Sequence, residues 1–194
     1  MNIPSNGKHD SGVFAPSWLI LMMLVVAICL TLSAVAQDAQ SQSGSQGACG
    51  PKEVRFDAIT ASGNPPAAEP GKALVYVSEV FNKVPGELGN PTIRIGLDGA
   101  WMGATRANSY IAFSVEPGEH HLCTNWQSHW KRLSREAAFA GFTAEAGKTY
   151  YFRARVGYQA VGTATTMTLD LDPVNPDEGK YLVASNPVST SHQK

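Results

Sequence analysis

The chain has 194 residues, with 15 Lys and Arg set against 16 Asp and Glu, a net charge of -1 and a pI near 6.5. That balance excludes the strong basic field of a nucleic-acid binder, and no partner is implied by charge at the level of the whole chain. The length left after the first 36 residues suffices for one domain of ordinary size, which buries about two-thirds of its unfolded surface and needs no metal to hold a core.

Trp18 to Leu30 is an unbroken apolar run, followed by Thr-Leu-Ser and then Ala34-Val35-Ala36. An apolar stretch ending in Ala-x-Ala is the pattern of a secretory signal, so residues 1–36 are expected to be a signal peptide cleaved after Ala36. The leader is long and only weakly basic, and the charge-free stretch from Phe14 to Ala36 also meets the span of about 20 residues that a membrane anchor requires. Export with an uncleaved anchor is therefore the alternative. Cys29 lies within this segment, which leaves Cys49 and Cys123 as an even pair in an oxidising compartment and predicts one disulfide. A lipidated Cys49 fits less well, because the polar stretch from Gln37 to Gly47 separates it from the apolar run. That stretch, residues 37–47, has nothing to bury and reads as a tether.

One domain is expected over residues 48–187. Val54, Phe56 and Ala58 alternate as a first short strand, and the proline-rich segment from Ala61 to Gly71 is a loop. Ala73-Leu-Val-Tyr-Val is apolar without a break, as in a strand covered on both faces. Phe81 to Asn90 is expected to be a loop. From Thr92 to Asn125, apolar runs separated by Asp98-Gly99 and Pro117-Gly118 predict a meander of antiparallel strands, the first turn of type I′ and the second of type II. Period two sends Ile93, Ile95 and Leu97 inward and Arg94 outward, and sets His121 and Cys123 opposite Leu122. Asn125 to Glu136 interrupts the pattern as a basic, aromatic insertion. Strands return at Ala137 to Thr143, after a turn at Ala146-Gly147 from Thr149, and at Thr165 to Leu171. Asn175-Pro176-Asp177-Glu178 is a helix start, with an amide cap, proline at the first helical position and glutamate at the third. That helix should end before Pro187, leaving residues 188–194 as a disordered tail. The fold class predicted is all-β, an antiparallel β-sandwich of about seven to nine strands with one short C-terminal helix.

Lys72-Ala-Leu-Val-Tyr-Val, Leu97-Asp-Gly-Ala-Trp, Val115-Glu-Pro-Gly-Glu-His-His-Leu-Cys, Ala146-Gly-Lys-Thr-Tyr-Tyr-Phe-Arg and Asp177-Glu-Gly-Lys-Tyr-Leu together carry a resemblance. The series resembles a bacterial exported family of unknown function, of the domain of unknown function 2846 type, across roughly Ala48 to Pro187. That family is in turn distantly similar to the small sandwich modules named for a Pro-Glu-Gly-Ala motif. Here Glu116 precedes Pro117-Gly118 and that four-residue string does not occur. The resemblance implies a sandwich and brings no catalytic residues to carry over.

Four groups of residues invite chemistry. His120, His121, Cys123 and His129 could ligate zinc or copper, and a periplasmic metal-binding protein using His121 and His129 is one alternative; the competing reading oxidises Cys123 to Cys49 and leaves the histidines around a turn. Gly141 to Thr149 nearly matches a phosphate-binding loop, but a strand follows where a helix N-terminus is needed. Asp170, Asp172, Asp177 and Glu178 lack the glycine of a calcium loop. Trp101, Trp126, His129, Trp130 and Arg132 are the residues expected to contact a ligand or partner, as flat faces with polar groups beside them. No cofactor and no catalysis are expected. The function expected is an exported binding or accessory module of the cell envelope, with an envelope protein or glycan as partner and any membrane contact made by residues 14–36; the alternative is a purely structural, membrane-tethered domain.

Overall fold

The computed structural model describes residues 49–63, 65–82, 90–129, 132–161 and 164–194, with the backbone alone for 158–161 and 164–166. The expected signal, the tether and Trp130 lie outside the described residues. Among the described residues no helix is long and apolar enough to cross a membrane.

Among the described residues, ten strands form two sheets: β1 (Phe56–Ala61), β2 (Ala73–Phe81), β3 (Thr92–Leu97), β4 (Ala100–Arg106), β5 (Tyr110–Val115), β6 (Gly118–Trp126), β7 (Ala137–Ala144), β8 (Thr149–Val161), β9 (Ala164–Pro173) and β10 (Val188–Gln193). The helix α1 (Pro176–Ser185) precedes the last of them. The six-stranded sheet runs β1-β10-β5-β2-β8-β9 and the four-stranded sheet β4-β3-β6-β7. The all-β sandwich is as expected, with more strands than the seven to nine predicted.

Two expectations about connectivity fail. The segment Thr92 to Asn125 is no meander: β3 and β4 pair as a hairpin, β5 pairs with β2 in the other sheet, and β6 returns to pair with β3 and β7. Pro117-Gly118 is thus a corner between layers, and Gly118 at φ 143° lies far from the value a type II turn needs. Ala146-Gly147 likewise carries the chain from β7 in one sheet to β8 in the other. These crossings make β2 and β8 parallel, and β10 and β5 parallel, so the six-stranded sheet is mixed and not antiparallel throughout. Asp98-Gly99 behaves as predicted, with both residues at positive φ (51° and 83°), as a type I′ turn requires.

The core lies between the sheets. Ala73, Val75, Val77 and Phe81 of β2 face Ile93, Ile95, Leu122 and Trp126 across it, with Phe152, Ala154 and Val156 of β8 alongside. Leu74 and Tyr76, from the other face of β2, pack with Tyr110, Tyr151 and Val183 beneath α1. Cover on both faces explains the unbroken apolar sequence of β2. The Asn175 side-chain oxygen accepts from the backbone N–H of Asp177 and Glu178, the cap the sequence predicted. Gly179 lets the helix approach the Tyr151 ring, which any Cβ there would overlap. Arg153 of β8 pairs with Glu178 of α1.

Residues 188–194 are not a disordered tail. Residues 188–193 are β10, paired with β1 from Val188↔Ala61 to Gln193↔Phe56. The strand is polar, so no hydrophobic alternation marks it. Its serines hold it against the neighbouring sheet: Ser191 Oγ accepts from the Ala104 N–H at 3.0 Å and Ser189 Oγ donates to the Ala104 carbonyl at 2.9 Å.

Candidate functional site

The outer face of the four-stranded sheet carries the most distinctive constellation, and its floor is set by the N-terminal cover. Cys49 and Cys123 are disulfide-bonded, with Cα atoms 5.5 Å apart. The bond lays the segment from Cys49 to Val54 across β3, and Gly96 accommodates it because a Cβ there would overlap the Cys49 carbonyl oxygen. A side chain at position 94 is therefore buried on a face that period two alone assigns to solvent.

Arg94 is only 7% exposed. Its Nε and Nη2 donate to Asn125 Oδ1, and its Nη1 donates to the carbonyls of Val54 at 2.6 Å and Lys52 at 3.3 Å. Its guanidinium carbon sits 4.3 Å from the centre of the Trp101 ring, a cation–π contact. Burial and the neighbouring Arg55 both push its pKa down. No carboxylate among the described residues pairs with it. Trp101 reaches this position through a register shift between Ile95 and Gly96, where β4 carries one extra residue. Its indole N–H donates to the Pro51 carbonyl at 2.8 Å.

Beside this pair opens a hollow of about 610 Å³, lined by Lys52, Arg94, Trp101, Arg135 and Phe139 with the disulfide at its base. Phe139 stands opposite Cys123 in the β6–β7 register and is 59% exposed. A second hollow, of about 680 Å³, lies between α1 and the six-stranded sheet, where Tyr76, Tyr110 and Tyr151 line it with Lys180 and Val183. There Tyr76 and Tyr151 stack on each other at 5.2 Å, so packing of the helix accounts for the rings. Cations and an exposed ring coincide only in the first of these two hollows.

The residues proposed from sequence as a contact surface do not assemble as a set. Trp101 lines the hollow. Trp126 does not: it is 5% exposed and belongs to the core between the sheets. It continues the inward register of Leu122 along β6, a signal the sequence contained. The expected insertion begins later than Asn125, since β6 runs through Trp126, and contains a short 3-10 turn over Leu133–Arg135. His129 and Arg132 are exposed, and Trp130 lies outside the described residues. Lys52, Arg94 and Phe139 were not expected here, and Arg135 was expected only as part of the basic, aromatic insertion.

The histidines separate too. His120 Nδ1 lies 2.6 Å from Asp98 Oδ2 and its Nε2 lies 2.7 Å from the Glu116 carbonyl. Burial pulls the His120 pKa down, but the hydrogen bonds to Asp98 and Glu116 and the Asp98 charge outweigh it, and the net shift is upward. Cys123 is committed to the disulfide, and among the described residues no three His, Cys, Asp or Glu side chains gather as a metal site.

One further buried group stands apart. Glu79, on the core face of β2, is fully buried, and neither carboxylate oxygen has a hydrogen-bond partner among the described residues. Burial pushes its pKa up to about 8, opposed by the Thr105 side chain and the Ala107 backbone N–H, which lie near the carboxyl but donate to the carbonyls of Ile93 and Pro91.

Fold and site define a two-layer sandwich with a cationic, aromatic hollow on one outer face. Residues 69–165, half of the chain, match the family model described as "Protein of unknown function (DUF2846)", and the protein belongs to that family. The match is shorter than the resemblance drawn from sequence motifs: it includes Arg94, Trp101, Cys123, Arg135 and Phe139, and leaves out Cys49, Lys52, α1 and β10. No curated protein and no solved structure matches the chain.

Proposed function

We propose that the protein is an exported, non-catalytic binding module of the cell envelope, and that it binds through the hollow beside the disulfide. One observation carries this reading: Phe139 and the cations of Lys52, Arg94 and Arg135 converge on a floor pinned by a covalent bond and a buried hydrogen-bond network. Arg94 and Phe139 stand on strands, and the bonded guanidinium of Arg94 loses little freedom on binding, which favours affinity. Export is supported by the apolar run from Trp18 to Leu30 with its Ala-x-Ala ending, and by the disulfide, which belongs to an oxidising compartment.

The test is retention of the full chain on envelope glycan, compared with Phe139→Ala. Phe139 is exposed, so its removal should leave the melting temperature unchanged and abolish retention. Unchanged retention would place the binding surface away from this hollow, and no retention by either protein would favour the purely structural reading.

A further inference from the structure

The geometry points to an acidic saccharide, a sugar ring bearing a carboxylate, as the ligand of this hollow; the inference rests on the binding-module reading and names its ligand class. Charge argues first. Lys52, Arg94 and Arg135 arrive from three separate stretches of a chain whose net charge is -1, and none of them forms an ion pair among the described residues. Glu53 and Glu136 are adjacent in sequence to two of them without bonding to either. An anion in the hollow would be the first opposite charge that the buried Arg94 meets, and attraction is strongest where water is excluded.

Donor count argues next. Four of the five N–H donors of Arg94 are committed to Asn125, Lys52 and Val54, which fixes the guanidinium plane. The fifth, on Nη2, has no partner among the described residues, and neither have the side-chain donors of Lys52 and Arg135. A carboxylate, with two acceptor oxygens, matches this set.

Phe139 decides between a bare anion and a ring that carries one. An inorganic anion would use the cations and leave Phe139 facing water, whereas a sugar offers an apolar C–H face for the ring and a carboxylate for the cations.

The experiment is calorimetric titration of the full chain with trigalacturonate, with neutral galactotriose, hexaglutamate and inorganic phosphate as the comparison arms. Trigalacturonate should bind at least about tenfold more tightly than galactotriose, the ratio that corresponds to one charge-assisted hydrogen bond, and the affinity should fall as salt is raised. Lys52→Gln with Arg135→Gln, both at exposed positions, should weaken trigalacturonate by about tenfold or more without moving the melting temperature. Phe139→Ala should weaken trigalacturonate and leave any phosphate binding unchanged. Equal binding of galactotriose, tighter binding of hexaglutamate, an unaffected double variant, or no trigalacturonate binding at millimolar concentration would each overturn the inference. Glycan retention that survives both the double variant and high salt would remove the acidic saccharide while sparing the binding-module reading.

Discussion

Replacing Glu79 by Gln should shift the stability balance towards the variant as pH rises. The carboxyl is fully buried on the core face of β2, with the Thr105 side chain and the Ala107 backbone N–H near it but neither within hydrogen-bond geometry, and its pKa rises from 4.5 to about 8. In the unfolded chain the same group ionises near its ordinary value. Between those two values the folded state binds one proton more than the unfolded state, so stability falls as pH rises. The loss runs at about 1.4 kcal/mol per pH unit, which amounts to about 3 kcal/mol between pH 4.5 and pH 7, and it ends once pH exceeds the folded value. Glutamine has nearly the same shape and no titration. Urea unfolding of both proteins at several values across pH 4.5 to 8 reads the difference, and any fixed cost of the amide cancels in the comparison. A stability difference that is flat with pH would refute the reasoning, because it would mean that Glu79 titrates alike in both states.

Three other outcomes follow from the same packing. Trp126→Ala should cost about 3 to 5 kcal/mol in chemical denaturation, as expected when a large side chain is removed from a core, and a cost below about 1 kcal/mol would put the indole outside the core. Cys49 and Cys123 should react with alkylating agents only after reduction, and reduction should lower stability by up to roughly 4 kcal/mol, the chain-entropy value for a loop of this length; labelling of both in the unreduced protein would contradict the bond. For His120, an NMR titration should place the imidazole pKa above that of a free histidine, and Asp98→Asn should lower it while preserving the positive φ and the acceptor for the His121 N–H. The stabilisation that His120 contributes should be complete below about pH 6.5 and fade as pH rises through the folded value. A His120 pKa indifferent to Asp98→Asn would exclude the carboxylate as the cause.

Turn chemistry and capping were legible because they are local. Asp98-Gly99 can hold two positive φ values, and Asn175-Pro176 is pre-set to start a helix, whatever surrounds them. The partner of each strand was not legible. Period two is silent on which sheet receives β5 and β6, so Pro117-Gly118 read as a turn within a meander and Ala146-Gly147 as a plain turn, while both serve as corners between layers. Arg94 looked solvated for a related reason: its face is covered by residues 49–54, distant in sequence and held there by the disulfide. β10 escaped notice because serine hydroxyls, and not apolar side chains, secure it. Trp126 was within reach, since the inward register from Leu122 leads to it, but its aromatic neighbours suggested a surface. Because Arg94 and the cover were hidden, the candidate site was legible only through Trp101 and the disulfide of Cys49 and Cys123.

The binding claim is tested most directly by backbone and indole NMR of the full chain during addition of an envelope glycan digest. Shifts should be confined to Lys52, Arg94, Arg135, Phe139 and the Trp101 indole N–H. Shifts centred on Tyr76, Tyr110 and Tyr151 beneath α1, or no shifts at all, would contradict it.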